Sequence, residues 1–284
     1  MKIDFVKMHG IGNDFIIIDD RSLSIESVKP YPELAEKLCS RHFGIGADGI
    51  LLILPSEDHD FKFRIFNSDG SMAQMCGNGL RCVARYVYEQ GIIPKKIMQV
   101  DTLAGILVPE IITDEDGQVK SVRVDMGEPV LDCSRIPVRC DKDRAVEEPL
   151  ATDLGTFKIT TVSMGNPHAV VFVDQVDETD IAGIGRQIET HSLFPEKTNV
   201  EFIEVVGPAE LKMRVWERGA GITLACGTGA CAALTAASLT GRTENRAVIH
   251  LDGGDLDITW DRESNHLFME GPAELSFEGR VEIG

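Results

Sequence analysis

One local pattern occurs twice in this chain. Met75-Cys76-Gly77-Asn78-Gly79-Leu80-Arg81-Cys82 returns as Ala225-Cys226-Gly227-Thr228-Gly229-Ala230-Cys231. In each copy a cysteine stands before Gly-x-Gly and leads into a stretch with helical character. The first carries Leu80, Val83, Ala84 and Val87 at helical spacing; the second is rich in alanine (Ala230, Ala232, Ala233, Ala236, Ala237). A cysteine at a helix start meets unpaired backbone N–H groups and the positive end of the helix dipole. Both favour thiolate over thiol, so the two cysteines are candidates for a pair of acid/base groups.

The match extends outward. Phe66-Asn67 lies ten and nine residues before Cys76, and Trp216-Glu217 stands at the same offsets before Cys226. Each pair closes an alternating run, Phe61 to Ile65 and Leu211 to Val215. Gly91 and Gly241 each follow their cysteine by fifteen residues, and Asn13 and Asn166 precede theirs by 63 and 60. Met126-Gly127-Glu128-Pro129 is echoed by Glu270-Gly271-Pro272. A period of roughly 150 residues is too long for a solenoid unit and predicts two similar domains. The expected fold is α+β: two pseudo-symmetric domains, each a mostly antiparallel β-sheet wrapped around one cysteine-led helix. Residues 1–125 would carry Cys76 and residues 126–270 Cys226, each bringing its thiol to a shared interface. Residues 271–284 would pack back on the first domain.

At 284 residues, two domains can each bury a core. A formal charge of −18 argues against nucleic acid and anionic membranes as partners. The N-terminus lacks the apolar core of a signal peptide, and no run approaches the ~18 apolar residues of a membrane helix. Seven cysteines without disulfide-scaffold spacing point to a reducing cytoplasm.

Along the chain, Ile16–Ile18, Ile50–Leu54 and Phe61–Phe66 read as strands, and a helix is expected from Pro32 to near Arg41. Arg41 to Gly49 is a glycine-rich loop without the Lys-Ser/Thr end of a Walker motif. Strand-like segments run from Met98 to Ile112; residues 132–153 are the least patterned part, and within them Cys140–Arg144 and Glu147–Pro149 read as a solvated loop without chemistry. Ile181, Ile184 and Ile188 mark an amphipathic helix, and a hairpin is expected about Asp252-Gly253-Gly254-Asp255.

Two thiols facing each other suit a two-base isomerisation. One thiolate removes a proton from a stereocentre, and the other, as thiol, delivers a proton to the opposite face. An amino-acid α-proton is a far weaker acid than a thiol, and each pK unit of mismatch costs about 1.4 kcal/mol. Backbone N–H groups near Gly77-Asn78 and Gly227-Thr228 are placed to hold the negative charge that develops on a carboxylate.

At these residues the sequence resembles the diaminopimelate epimerases. The resemblance rests on Cys76-Gly77-Asn78-Gly79, Gly165-Asn166-Pro167-His168, Thr198-Asn199-Val200-Glu201, Trp216-Glu217-Arg218-Gly219 and Ala225-Cys226-Gly227-Thr228-Gly229. His9-Gly10-x-Gly12-Asn13-Asp14-Phe15 and Phe66-Asn67-x-Asp69-Gly70 also fit, so it spans residues 5 to about 275. It implies a cofactor-independent, metal-free cytoplasmic isomerase that interconverts LL- and meso-2,6-diaminopimelate for lysine and peptidoglycan synthesis. Its partner would be the small-molecule substrate, with no nucleic acid or membrane; the resemblance allows a homodimer. It makes Cys76 and Cys226 the bases, with the backbone of Gly77-Asn78 and Gly227-Thr228 on the reacting carboxylate. Asn67, Asn199 and Arg218 would hold the distal carboxylate and Glu217 an ammonium group. Asn13 and Asn166 would line the cleft, and His168 would be an accessory near the reacting centre. One departure stands out: many family members carry glutamine where this chain has Gly49.

Cys82 and Cys231 lie inside the helices and read as core, and Cys39, Cys133 and Cys140 as structural or incidental. Three rival readings remain open at this point. A proline racemase-like isomerase on the same scaffold would give Arg218 no obvious task. A thiol oxidoreductase would use Cys76 and Cys226 as a redox pair, without a Cys-x-x-Cys. A structural zinc protein would need spacings unlike 76/82, 133/140 and 226/231.

Overall fold

The computed structural model describes residues 1–284, which divide into two compact units: Met1–Asp125 with Glu270–Gly284, and Met126–Met269. In chain order the first unit contains β1 (Lys2–Gly10), β2 (Asn13–Asp19), α1 (Tyr31–Cys39), β3 (Gly49–Leu54), β4 (Phe61–Asn67) and β5 (Met72–Ala73). It continues with α2 (Gly77–Glu89), β6 (Val100–Thr102), β7 (Gly105–Leu107), β8 (Glu110–Thr113) and β9 (Val119–Asp125). The second unit holds β10 (Glu148–Thr152), β11 (Gly155–Ser163), β12 (Pro167–Phe172), α3 (Ile181–Glu189), β13 (Asn199–Gly207), β14 (Glu210–Glu217) and β15 (Gly221–Thr223). α4 (Gly227–Leu239), β16 (Arg246–Leu251), β17 (Gly254–Trp260) and β18 (Leu267–Gly271) follow, and β19 (Glu274–Glu282) returns to the first unit, antiparallel to β1.

Strand pairing repeats between the units. β1 and β2 are antiparallel, β2 and β3 parallel, β3 and β4 antiparallel, and β4 and β6 parallel. In the second unit β11/β12, β12/β13, β13/β14 and β14/β16 follow the same sequence of directions. The small strands β5 and β15 hang off β4 and β14 in the same way. Phe15 lies opposite Gly49, and His168 lies opposite Asn199, so the registers also correspond.

The central strand β3, Gly49–Leu54, is buried on both faces, which explains why it is apolar throughout rather than alternating. On one face of the first unit, α1 packs through Tyr31, Leu34 and Leu38 against Ile16, Ile50 and Leu52. On the other, α2 packs against β1, β2, β8 and β9. In the second unit α3 covers Ala169, Val171, Val200 and Phe202, while α4 packs against β11, β12, β13, β16 and β17. α4 is buried almost all round, and its alanines let it sit close to the strands.

Two expectations need correction. The first helix stops at Cys39 instead of reaching Arg41, because the next residues turn back: Gly44 N–H donates to Ser40 O at 2.9 Å. Cys140–Arg144 is a largely exposed loop as expected, but Glu148–Pro149 lies in β10, and the unpatterned residues around them are structured. Cys133, Ile136, Ala145 and Leu150 enter the core, a short 3₁₀ turn at Cys133–Arg135 is capped by Asp132, and β10 pairs with β11. The apolar residues there are too sparse to show a period, yet each is buried.

Candidate active site

Each unit builds one half-site at the start of its buried helix. Cys76 is the N-cap of α2 and Cys226 the N-cap of α4, both with extended backbone. Gly79 N–H donates to Cys76 Sγ at 3.3 Å, and Gly229 N–H to Cys226 Sγ at 3.4 Å. The first intrahelical bonds run from Leu80 N–H to Cys76 O and from Ala230 N–H to Cys226 O, both 2.9 Å. That leaves the N–H groups of Gly77 and Asn78, and of Gly227 and Thr228, at the positive helix end. Such a pair of N–H groups is an anion site beside a sulfur.

In the first unit Cys76 Sγ donates to Asn13 Oδ1 at 3.8 Å, and Asn78 Nδ2 donates to the same oxygen at 3.3 Å. Asn13 is held by Asp48, whose Oδ2 accepts from Asn13 Nδ2 at 2.7 Å. Asp48 is in turn paired with Arg41 at 2.8 Å, and Arg41 bridges to Asp14 at 2.9 Å. Buried Lys7 completes the network, 2.5 Å from Asp14. Burial alone would raise the Asp14 carboxyl, but hydrogen bonds from Arg41 and Lys7 outweigh it and hold the group below its ordinary value. Asn67 is exposed in this unit, and its Nδ2 donates to Ser71 Oγ at 3.0 Å.

In the second unit Cys226 is 6% exposed. Burial pushes its thiol well above the ordinary range, and the carboxylates of Glu217 and Glu201 push the same way. Hydrogen bonds from Thr228 and from Gly229 N–H pull part of the way back. Thr228 Oγ1 lies 3.6 Å from Cys226 Sγ, and Asn166 Nδ2 donates to Thr228 Oγ1 at 3.3 Å. His168, fully buried, sits with Nε2 3.0 Å from Asn166 Oδ1 and Nδ1 2.7 Å from Glu201 Oε1. Asn199 accepts from Arg218 N–H at 2.9 Å and donates to Pro167 O at 3.0 Å, leaving one amide hydrogen for a ligand. Arg218 is exposed, with Nη1 donating to Glu196 O at 3.2 Å, and Glu217 accepts from Thr223 Oγ1.

What this arrangement can do is hold a carboxylate at a helix start with a sulfur beside it, once in each unit. The family model described as diaminopimelate epimerase matches residues 5–131 and 160–276. The chain belongs to the diaminopimelate epimerase family. Among its relatives, the diaminopimelate epimerase of Desulforapulum autotrophicum is 57% identical over 283 residues, covering all of both chains. That of Methanococcus maripaludis strain C5 is 50% identical over 279 residues, covering 98% of this chain and 99% of the relative. Solved structures share the fold. A Bacillus anthracis phenazine biosynthesis protein of the PhzF family has a TM-score of 0.73 at 18% identity, covering all of both chains. A hydroxyproline epimerase from Agrobacterium vitis has a TM-score of 0.70 at 16% identity, covering 99% of this chain and 92% of that one.

For a diaminopimelate epimerase-family chain, the departure at Gly49 now has a steric setting. Gly49 pairs with Asn67 across β3 and β4, and a Cβ at residue 49 would meet Phe66 O at 2.6 Å. A glutamine does not fit this backbone unless β4 shifts. Two parts of the half-sites escaped sequence reasoning. Glu201 was read only as part of a signature segment, and the Lys7–Asp14–Arg41–Asp48 network was not read at all. A lysine inside the apolar strand Phe5 to Met8 was the available signal for the latter, since a buried ammonium needs carboxylates.

Proposed function

We propose that the chain is an isomerase that interconverts LL- and meso-2,6-diaminopimelate by a two-base mechanism, with Cys76 and Cys226 as the bases. Residues 1–125, with the C-terminal segment, supply one thiol, and residues 126–270 the other. What supports this reading most is the doubled motif: a cysteine N-cap beside two backbone N–H groups, once in each half of a chain of this family.

The chemistry requires both thiols to reach the same Cα from opposite faces. One sulfur, as thiolate, takes the α-proton while the other, still a thiol, gives a proton to the far face; the next turnover begins with the roles exchanged. Charge moves onto the substrate carboxylate as the C–H bond breaks. The N–H groups of Gly77-Asn78 or Gly227-Thr228 stabilise it there, at helix ends whose dipoles favour negative charge. Arg218, with Asn67 and Asn199, holds the distal carboxylate, and Glu217 an ammonium group. A proline-like substrate has no distal carboxylate for Arg218. Two working thiols fit a reducing cytoplasm; no helix is long and apolar enough to cross a membrane.

Substituting the cysteines one at a time is the test. Cys76→Ala and Cys226→Ala should each lower diaminopimelate epimerisation by at least about 10³-fold, the scale of losing an acid or base. Turnover near that of the unmodified protein in either variant would remove the two-base mechanism.

A further inference from the structure

The buried pair His168–Glu201 touches neither solvent nor the half-site's anion pocket, yet it stands at the head of a hydrogen-bonded chain ending at Cys226. Both ring nitrogens of His168 face oxygen acceptors: Nδ1 faces Glu201 Oε1 at 2.7 Å, and Nε2 faces Asn166 Oδ1 at 3.0 Å. A neutral imidazole beside a carboxylate has one hydrogen for these two contacts. Two are required, whether the second sits on Nδ1 or on Oε1, so the pair carries two protons and is neutral overall. Neutrality suits its surroundings, because both side chains are fully buried and a lone carboxylate there would be costly. Glu201 Oε2 has no hydrogen-bond partner, which leaves His168 as the group compensating this carboxyl.

The rest follows from donor direction. Nε2–H donates to Asn166 Oδ1, which turns Asn166 Nδ2 toward Thr228 Oγ1; with that oxygen accepting, the Thr228 hydroxyl hydrogen is available to Cys226 Sγ when the sulfur is charged. The internal repeat supplies a comparison. In the first unit the positions matching His168 and Glu201 are Phe15 and Leu51, both buried and apolar. Filling that space between sheet and helix therefore does not require a polar pair. The asparagines differ accordingly: Asn13 offers its carbonyl oxygen to Cys76, whereas Asn166 offers its N–H groups toward Thr228. Gly229 is part of the device, because a Cβ there would meet Glu201 Oε1 at 2.8 Å and Cys226 Sγ at 3.1 Å.

We propose that Glu201 and His168 are positioning residues that lock Asn166 in one orientation and so keep the Thr228 hydroxyl donating to Cys226 whenever that sulfur is charged. This rests on Cys226 being a catalytic base. The groups facing Cys226 are Glu217 from β14 and Glu201 from β13, the latter compensated by His168 from β12, so the hydroxyl and Gly229 N–H act chiefly against Glu217.

The test has two arms. In ¹⁵N-labelled full-length protein at pH 7, the His168 ring should show a protonated Nε2. A bare Nε2 in the unmodified protein would overturn the proposal, whether or not the protein is an epimerase. In the kinetic arm, Thr228→Val should lower kcat about 10-fold, the scale of one hydrogen bond to a charged atom, and Thr228→Ser, which keeps the hydroxyl, should lose clearly less. Glu201→Gln should lower kcat severalfold on its own but less than about twofold in the Thr228→Val background, because the two act through one chain. The same factor in both backgrounds would reduce Glu201 to a structural or general electrostatic role and overturn the relay. α-Proton exchange by the unmodified protein reads the activity separately, so the two readings can fail independently.

Discussion

Cys226 is the residue where the competing effects are clearest. Its sulfur is nearly buried and faces the Glu217 carboxylate and the Glu201–His168 pair, against two hydrogen-bond donors and a helix end. The balance raises the thiol above its ordinary value. With Cys76 blocked by substitution, alkylation of Cys226 by a small haloacetamide should rise about tenfold per pH unit through pH 9, following the thiolate fraction. A plateau below pH 8 would show that donors and dipole outweigh burial. Arg218 is the other residue whose role is open to a direct test. Its exposed guanidinium makes one backbone contact, which leaves donors for a carboxylate. Arg218→Ala should raise KM for diaminopimelate about 10–100-fold, the scale of a charge-assisted bidentate contact, with a smaller change in kcat. Unchanged kinetics would place it outside the site.

Among the elements, the two cysteine-led helices were the most legible in advance. Gly-x-Gly after a cysteine marks a helix start that must approach other atoms closely, and both helices do. A Cβ at Gly79 would lie 3.1 Å from Leu51 Cδ2, whereas one at Gly229 would meet the Glu201 carboxylate and the Cys226 sulfur. Leu51 is an aliphatic side chain with rotameric freedom; Glu201 is pinned by His168. Gly229→Ala should therefore destabilise by about 1–3 kcal/mol and lower activity, with Gly79→Ala milder in thermal unfolding. Equal shifts for the two would show that the Glu201–His168 pair is not rigid. The pairing itself was not legible, because a glutamate two residues beyond Asn199 reads as the solvent side of an alternating strand. Only the parallel register of β12 and β13, with α4 covering that face, brings it onto His168 and out of water. The Lys7 network was hidden for the same reason: its members come from β1, β2 and the loop after α1, and sequence spacing does not join them.

For the whole molecule, duplication is the organising fact, and it was written in the offsets around Cys76 and Cys226. It fixes a shared strand order while letting the two copies diverge in chemistry: Phe15 and Leu51 in one, His168 and Glu201 in the other. The measurement that tests the proposed epimerisation most directly is α-proton exchange. Reduced protein, without added cofactor or metal, would be incubated in D₂O with LL-diaminopimelate and separately with L-proline. The account predicts deuterium at Cα of diaminopimelate with formation of the meso isomer, and no exchange in proline. No deuterium in diaminopimelate, or exchange in proline alone, would contradict it.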